Sequence, residues 1–130
     1  MSQHLSLVAL LVRDYDEAIG FYVDRLGFAL VEDTPMGEGK RWVVVRPPGA
    51  IETGILLALA VGERQAAAVG EQGGGRVMLF LHTDDFDRDH AAFTARGVRF
   101  LEAPRREAYG SVAVFEDLYG NRWDLLQRAG

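Results

Sequence analysis

Residues 14–28 read DYDEAIGFYVDRLGF, a stretch that has the features of a short amphipathic helix. Asp14 can accept backbone N–H bonds as the N-cap residue, and Glu17, three positions later, completes a capping-box arrangement. Apolar side chains then recur at helical spacing, and Gly27 supplies the residue that adopts a left-handed conformation at a helix end. The pattern predicts a helix that begins after Asp14 and stops at Gly27.

The same pattern occurs a second time further along the chain. The repeated positions are the pairs Tyr15/Phe86, Tyr22/Phe93, Gly27/Gly97, Gly39/Gly110 and Gly49/Gly120, at offsets of 70 or 71 residues. A repeat of this length is far longer than the units of solenoid proteins. It therefore indicates that a half-domain has been duplicated.

Strand-like segments surround each predicted helix. The predicted strands are residues 5–12, 28–32, 41–46 and 54–61 in the first copy, and 77–82, 98–102, 112–116 and 122–127 in the second. The segment GERQAAAVGEQGGGR, residues 62–76, holds a short possible helix and three consecutive glycines, so it is the best linker candidate. We therefore predict one α+β domain over residues 1–130. It would contain two βαβββ modules, residues 1–62 and 76–130, joined by a linker at residues 63–75, with half-barrel sheets and the helices on the outside.

Composition excludes several classes of protein. A net charge of -5 with a single lysine, Lys40, argues against binding to nucleic acid, and the absence of cysteine excludes disulfides and thiol nucleophiles. No apolar run approaches the roughly 18 residues that span a bilayer, and the first residues lack the features of a signal peptide. We expect a cytoplasmic protein that has no contact with membranes.

Two stretches of the chain resemble a known family. DYDEAIGFYVDRLGF and, at residues 114–127, VFEDLYGNRWDLLQ resemble the paired signatures of the glyoxalase, bleomycin-resistance and extradiol-dioxygenase proteins, the vicinal oxygen chelate superfamily. The second pattern, with its Gly-Asn pair and an acidic residue in the last strand, is the more specific. The resemblance implies paired βαβββ modules, usually in a homodimer. It also implies a divalent metal with four His- or Glu-type ligands on the first, fourth, fifth and last strands.

The residues at those four positions decide whether the implied metal fits. The first-strand position is Leu7, which cannot bind a metal, and the fifth-strand position is Arg76, a fixed cation. The last-strand position is Asp124, an acceptable oxygen ligand. The fourth-strand register stays open among Glu52, Thr53, Gly54 and Leu57. At best two of the four ligands remain, so we expect no cofactor. A rearranged metal site, the alternative, would use Glu52, His82 and Asp124.

Four residues are the candidate ligand contacts. In the family's geometry Arg76 would face Asp124, and a salt bridge between them could replace the metal, although both could equally be surface charges at strand edges. His82 ends the fifth predicted strand with the same side-chain parity as Arg76, so it could reach the rim of a cavity. Trp42 could offer a flat apolar wall to a planar ligand, or could simply pack in the core.

Three functions remain open at this point. The first is a metal-independent protein that binds a small molecule in an enclosed cleft, as in the drug-binding branch of the superfamily. The second is a metal-dependent lyase or isomerase of glyoxalase I type, or a dioxygenase-like enzyme. The third is a metal-free enzyme in which Asp124 or His82 acts as an acid or base. No catalytic residue can be assigned from the sequence, and a homodimer is expected.

Overall fold

The computed structural model describes residues 1–130, which form two units, Met1–Val69 and Gly70–Gly130. In the first unit a short α-helix, α1, continues as a turn of π-helix over Gly20–Arg25. The elements of this unit are β1 (Leu7–Val12), α1 (Tyr15–Ile19), β2 (Ala29–Gly37), β3 (Lys40–Arg46), β4 (Gly54–Leu59) and α2 (Gly62–Ala68).

The second unit repeats the order of strand, helix and further strands, with one additional strand, β7, and no counterpart of α2. It contains β5 (Val77–His82), α3 (Phe86–Ala95), β6 (Arg99–Phe100), β7 (Arg105–Glu107), β8 (Gly110–Glu116) and β9 (Arg122–Arg128). The strand order is β1-β4-β3-β2 in the first sheet and β5-β9-β8-β6 in the second, where β7 also pairs with β8. In each sheet the first and last strands are parallel and the other pairs are antiparallel. The predicted α+β class with two βαβββ modules is confirmed.

Both helix starts follow from the predicted caps. The Asp14 carboxylate accepts the backbone N–H of Glu17 at 2.8 Å, and the Asp85 carboxylate accepts that of Arg88 at 3.0 Å. Two aspartates, Asp84 and Asp85, precede the second helix, and Asp85 is the one that caps it. Each cap satisfies one of the free N–H groups at a helix N-terminus, which is worth about 1 kcal/mol.

The core of each unit lies between its sheet and its helix. Strand residues alternate between two faces, so every second residue of β8 and β9 turns toward α3. The ring of Phe115 stacks on that of Trp123 at 5.8 Å and meets that of Phe93 edge-on at 5.5 Å. In the first unit the buried residues include Leu10, Val12, Tyr22, Val43, Val45 and Leu57.

The Gly-Asn signature near the C-terminus has a structural role. The buried Asp117 carboxylate accepts the backbone N–H groups of Tyr119 and Asn121 and the side-chain amide of Asn121, each at 2.9 Å. Gly120 has a φ of 96°, which favours glycine. These bonds close the turn that aligns β9 against β8.

Some segments differ from the predicted ones. The strand predicted at 98–102 is short and is followed by a separate strand, β7, in a segment that reads as an exposed loop. Strand β2 extends to Gly37 instead of ending near residue 32. No helix of the structure is long and apolar enough to cross a membrane.

Candidate functional site

The first unit contains a cavity of about 380 Å³ beside β3 and β4. It opens where the two strands diverge, beyond the last pair of their ladder, Val43 and Leu57. Most of its lining is apolar. The lining residues are 38–42 and 56–59, with Tyr15, Val61 and Gln65. The cavity can therefore hold a small apolar molecule with few polar contacts.

Arg41 fixes one wall of this cavity. Its backbone N–H donates to Tyr15 Oη at 3.1 Å, and its guanidinium lies over the Tyr15 ring, 5.1 Å from the centroid. The guanidinium also donates to the Asp33 carboxylate at 2.7 and 3.1 Å and to Asp16 at 2.9 Å. The hydrogen bonds from Arg41 lower the pKa of Asp33. These contacts join the start of β3 to β2 and to α1.

Trp42, a predicted ligand contact, lines the same cavity. It is half-buried and pairs with Thr34 on β2. Sequence reasoning did not single out Tyr15 or Arg41 as residues of this site. The repeat contains a sequence difference that points to Tyr15. The second copy has Phe86 at this position, and phenylalanine has no hydroxyl.

The structure also settles the register of the fourth strand. Asp124 lies between Phe80 on β5 and Val114 on β8, and in the first sheet Leu56 lies between Ala9 on β1 and Val44 on β3. Leu56 is thus the structural counterpart of Asp124. None of the four residues considered for this position occupies it, and Glu52 is exposed ahead of β4.

Asp124 lies within the second sheet, between Phe80 on β5 and Val114 on β8. Its Oδ1 atom is buried and has no hydrogen-bond partner. Burial raises the pKa of the Asp124 carboxyl; Arg105 opposes this shift by attraction, and Glu102 adds to it by repulsion. Glu102 itself is held by the backbone N–H of Val114 at 3.0 Å and by Arg105 at 3.1 Å.

The predicted ion pair between Arg76 and Asp124 is wrong. Arg76 is exposed just before β5, its N–H donates to Gly73 O, and the charges that act on Asp124 are those of Arg105 and Glu102. The prediction of the pair followed the family's geometry, and the parity of His82 with Arg76 assumed strict alternation along β5. A register irregularity between Val77 and Leu79 breaks that alternation, so parity does not carry across it. His82 is exposed at the end of β5.

The positions that the resemblance assigns to metal ligands do not fit a divalent ion. They are Leu7, Arg76 and Asp124, with Leu56 as the fourth by its register beside Ala9 and Val44, and of these only Asp124 offers a metal ligand. Nor does the structure bring three or more His, Asp or Glu side chains together in a group that could hold a metal. The fallback set of Glu52, His82 and Asp124 is not such a group. A divalent ion normally takes several ligands from the protein, so one carboxylate is an insufficient site.

Comparisons with known proteins agree with this fold. An uncharacterized protein of Shewanella frigidimarina (strain NCIMB 400) is 55% identical over 128 residues, covering 98% of this chain and 95% of the relative. The crystal structure of UcmS2 superposes with a TM-score of 0.85 at 30% identity, covering 97% of this chain and 98% of the other. That of TnmS3, an antibiotic binding protein from Streptomyces sp. CB03234, has a TM-score of 0.81 at 34% identity, with 98% of each chain covered.

A family model covers nearly the whole chain. The model is that of the glyoxalase, bleomycin resistance and dioxygenase proteins, and it matches residues 4–125. This range includes both βαβββ modules, the cavity beside Trp42 and the last strand as far as Leu125. The chain therefore belongs to the Glyoxalase/Bleomycin resistance protein/Dioxygenase superfamily.

Proposed function

We propose that this protein binds a flat, largely apolar small molecule without a metal, in the cavity of its first unit. The observation that carries this proposal is the cavity itself, about 380 Å³ in volume, with Trp42 and the β4 residues in its walls. This volume lies within the range of small-molecule sites, roughly 300 to 1,000 Å³. An aromatic ligand beside Trp42 would gain about 0.5 to 1.5 kcal/mol beyond the burial of its area.

Two further observations support binding rather than metal chemistry. The position that corresponds to Asp124 is Leu56, which lines the cavity and offers an apolar contact where the family places a ligand to metal. In addition, TnmS3 is described as an antibiotic binding protein and is 34% identical to this chain over nearly its whole length. A metal-dependent lyase, isomerase or dioxygenase would need donor atoms that this chain does not group together.

In the second unit, considered by itself and apart from the cavity, we propose Asp124, Arg76 and His82 as polar ligand contacts. Asp124 offers a buried oxygen that has no partner in the chain, so it could accept a hydrogen bond from a ligand hydroxyl or amine. Arg76 and His82, exposed at the two ends of β5, could supply donors. We further propose a homodimer, because Leu30, Val31 and Met36 on β2 and Phe80 on β5 are exposed and a second copy could cover them.

Titration of the protein with phenanthridine, a flat three-ring compound, tests the proposed function. Isothermal titration calorimetry should show binding, and Trp42→Ala should weaken it by about tenfold because the flat wall is lost. Tyr109→Ala is the control, since Tyr109 is an exposed aromatic residue of the second unit. Unchanged affinity in Trp42→Ala, or no binding to the wild-type protein, would refute the proposed site.

A further inference from the structure

The two repeats differ in the ladder between their last two strands. In the second sheet β8 and β9 pair over seven positions, from Gly110 and Arg128 to Glu116 and Arg122. In the first sheet β3 and β4 pair over only three, and the ladder ends at Val43 and Leu57. Both β3 and β4 continue past this point as strands. They therefore enclose a gap, which we call the β3–β4 cleft.

The second sheet shows which pairs the cleft lacks. Continued in register, the first ladder would join Trp42 to Ala58 and Arg41 to Leu59. The corresponding positions of the second sheet, Val112 with Leu126 and Ser111 with Gln127, are both paired. In an antiparallel ladder every second pair carries two N–H···O bonds. One of the two missing residue pairs would therefore have carried two N–H···O bonds. The backbone groups of that pair are not joined across the cleft.

A side-chain hydroxyl contacts the strand β3 at the cleft. The Arg41 N–H donates to Tyr15 Oη at 3.1 Å instead of to β4. At the repeated position the second unit has Phe86, which has no hydroxyl. The contact of a guanidinium with the ring is common to both copies, because Arg106 lies 5.2 Å from the Phe86 centroid and Arg41 lies 5.1 Å from that of Tyr15. The hydroxyl is thus the difference that accompanies the open ladder.

We propose that the β3–β4 cleft is a hydrogen-bonding slot for a flat ligand with neighbouring N–H and C=O groups, such as a lactam or an imide, and that the Tyr15 hydroxyl holds the slot open. The proposal rests on the proposed function of the cavity and adds the chemistry of its ligand. The ligand edge replaces the missing strand pair, while its rings contact Trp42. Tyr15 acts as a positioning residue through Arg41.

The dimensions and chemistry of the cleft select this class of ligand. Two missing residue pairs correspond to roughly 7 Å along the strands, which suits two or three fused rings. Backbone groups of β3 and β4 that are not paired with each other across the cleft, near an apolar wall, favour a partner that offers both a donor and an acceptor. The cavity lining is otherwise mostly apolar, and Gln65 already uses its side-chain carbonyl to accept the Val61 N–H at 2.8 Å.

A matched pair of compounds tests the slot. Phenanthridinone carries a lactam edge, whereas phenanthridine has the same three rings without the N–H and C=O pair. Calorimetry should show that the lactam binds about tenfold more tightly, since it adds two hydrogen bonds. Equal affinity for the two compounds would overturn the slot but leave the proposed function intact. Failure of both to bind would overturn the slot and the proposed function together.

Amide hydrogen exchange tests the role of Tyr15. In the free wild-type protein at least one amide of residues 58 and 59 should exchange rapidly, and saturating phenanthridinone should protect it. Tyr15→Phe should let the strands pair, so that this amide becomes protected without ligand and affinity for phenanthridinone falls about tenfold. Tyr109→Phe, in the second unit, is the matched control. Full protection in the free wild-type protein, or an unchanged affinity in Tyr15→Phe, would overturn the proposal; the wild-type measurement holds even if the variant does not fold.

Discussion

Replacing Asp124 with leucine should make the second unit more stable. The Asp124 Oδ1 atom is buried without a hydrogen-bond partner, and the cross-strand neighbours of the residue are Phe80 and Val114. A buried polar atom without a partner costs about 1 to 3 kcal/mol. The first sheet already has a leucine, Leu56, at the equivalent place. Because the Asp124 side chain is partly exposed, we expect a gain of about 1 to 2 kcal/mol in the free energy of unfolding near neutral pH.

The gain should depend on pH in a defined direction. Burial raises the pKa of Asp124 above the ordinary value of 3.8, so the unfolded chain loses this proton at lower pH than the folded chain does. As the pH rises from the pKa of Asp124 in the unfolded chain to its higher pKa in the folded chain, the free energy of unfolding of the wild-type protein falls. Asp124→Leu removes this loss. Its advantage should therefore be smallest below the unfolded pKa and largest above the folded one.

Urea unfolding followed by tryptophan fluorescence measures this effect. The chain has two tryptophans, so a Trp42→Phe background leaves Trp123 as the reporter of the second unit. Asp89→Asn is the control in the same unit. Burial raises the pKa of Asp89, but hydrogen bonds from Arg88 and Thr83 outweigh it and lower the pKa, so this variant should lose stability near neutral pH.

Two results would refute the reasoning about Asp124. One is an Asp124→Leu variant that is less stable than its background near neutral pH. The other is an unchanged pH dependence, which would mean that the Asp124 carboxyl is solvated in the folded protein. Calorimetric measurement of ligand affinity in Asp124→Leu separates stability from function. If the carboxylate serves ligand binding, the variant should bind the ligand more weakly although its fold is more stable.

Three other predictions concern the metal, the assembly and the last turn. Zn²⁺ or Mg²⁺ should leave the melting temperature unchanged in a thermal-shift assay, because only one ligand residue is available; a stoichiometric metal in protein purified without chelator would contradict this. Light scattering should return twice 14.3 kDa, and a monomer at micromolar concentration would exclude the homodimer. Asp117→Ala should lower the free energy of unfolding by about 2 to 4 kcal/mol, because it leaves buried donors of Asn121 unpaired, whereas the exposed Asp87→Ala should cost under about 1 kcal/mol.

The sequence by itself determined the architecture of this protein. The local patterns are the aspartates that cap the helices (Asp14, and Asp84 or Asp85), the glycines that end them, and the strand segments. Their recurrence at a fixed offset predicted two copies of one βαβββ module. The resemblance of two stretches to a known family, rather than a local pattern, implied that Leu7 and Arg76 stand where relatives place metal ligands. These features could be predicted because caps, turns and apolar periodicity depend on residues that are near one another in the chain.

Only the tertiary structure decided what the site contains. Three features of the site are properties of strand pairing. They are the register that places Leu56 beside Ala9, the irregularity in β5 after Val77, and the early end of the β3–β4 ladder. Pairing joins residues far apart in sequence, and a shift of one residue moves a side chain to the other face of the sheet. The Arg41 N–H donates to the Tyr15 hydroxyl of α1, and although the repeat shows that only the first copy has this hydroxyl, the sequence does not reveal which group it contacts.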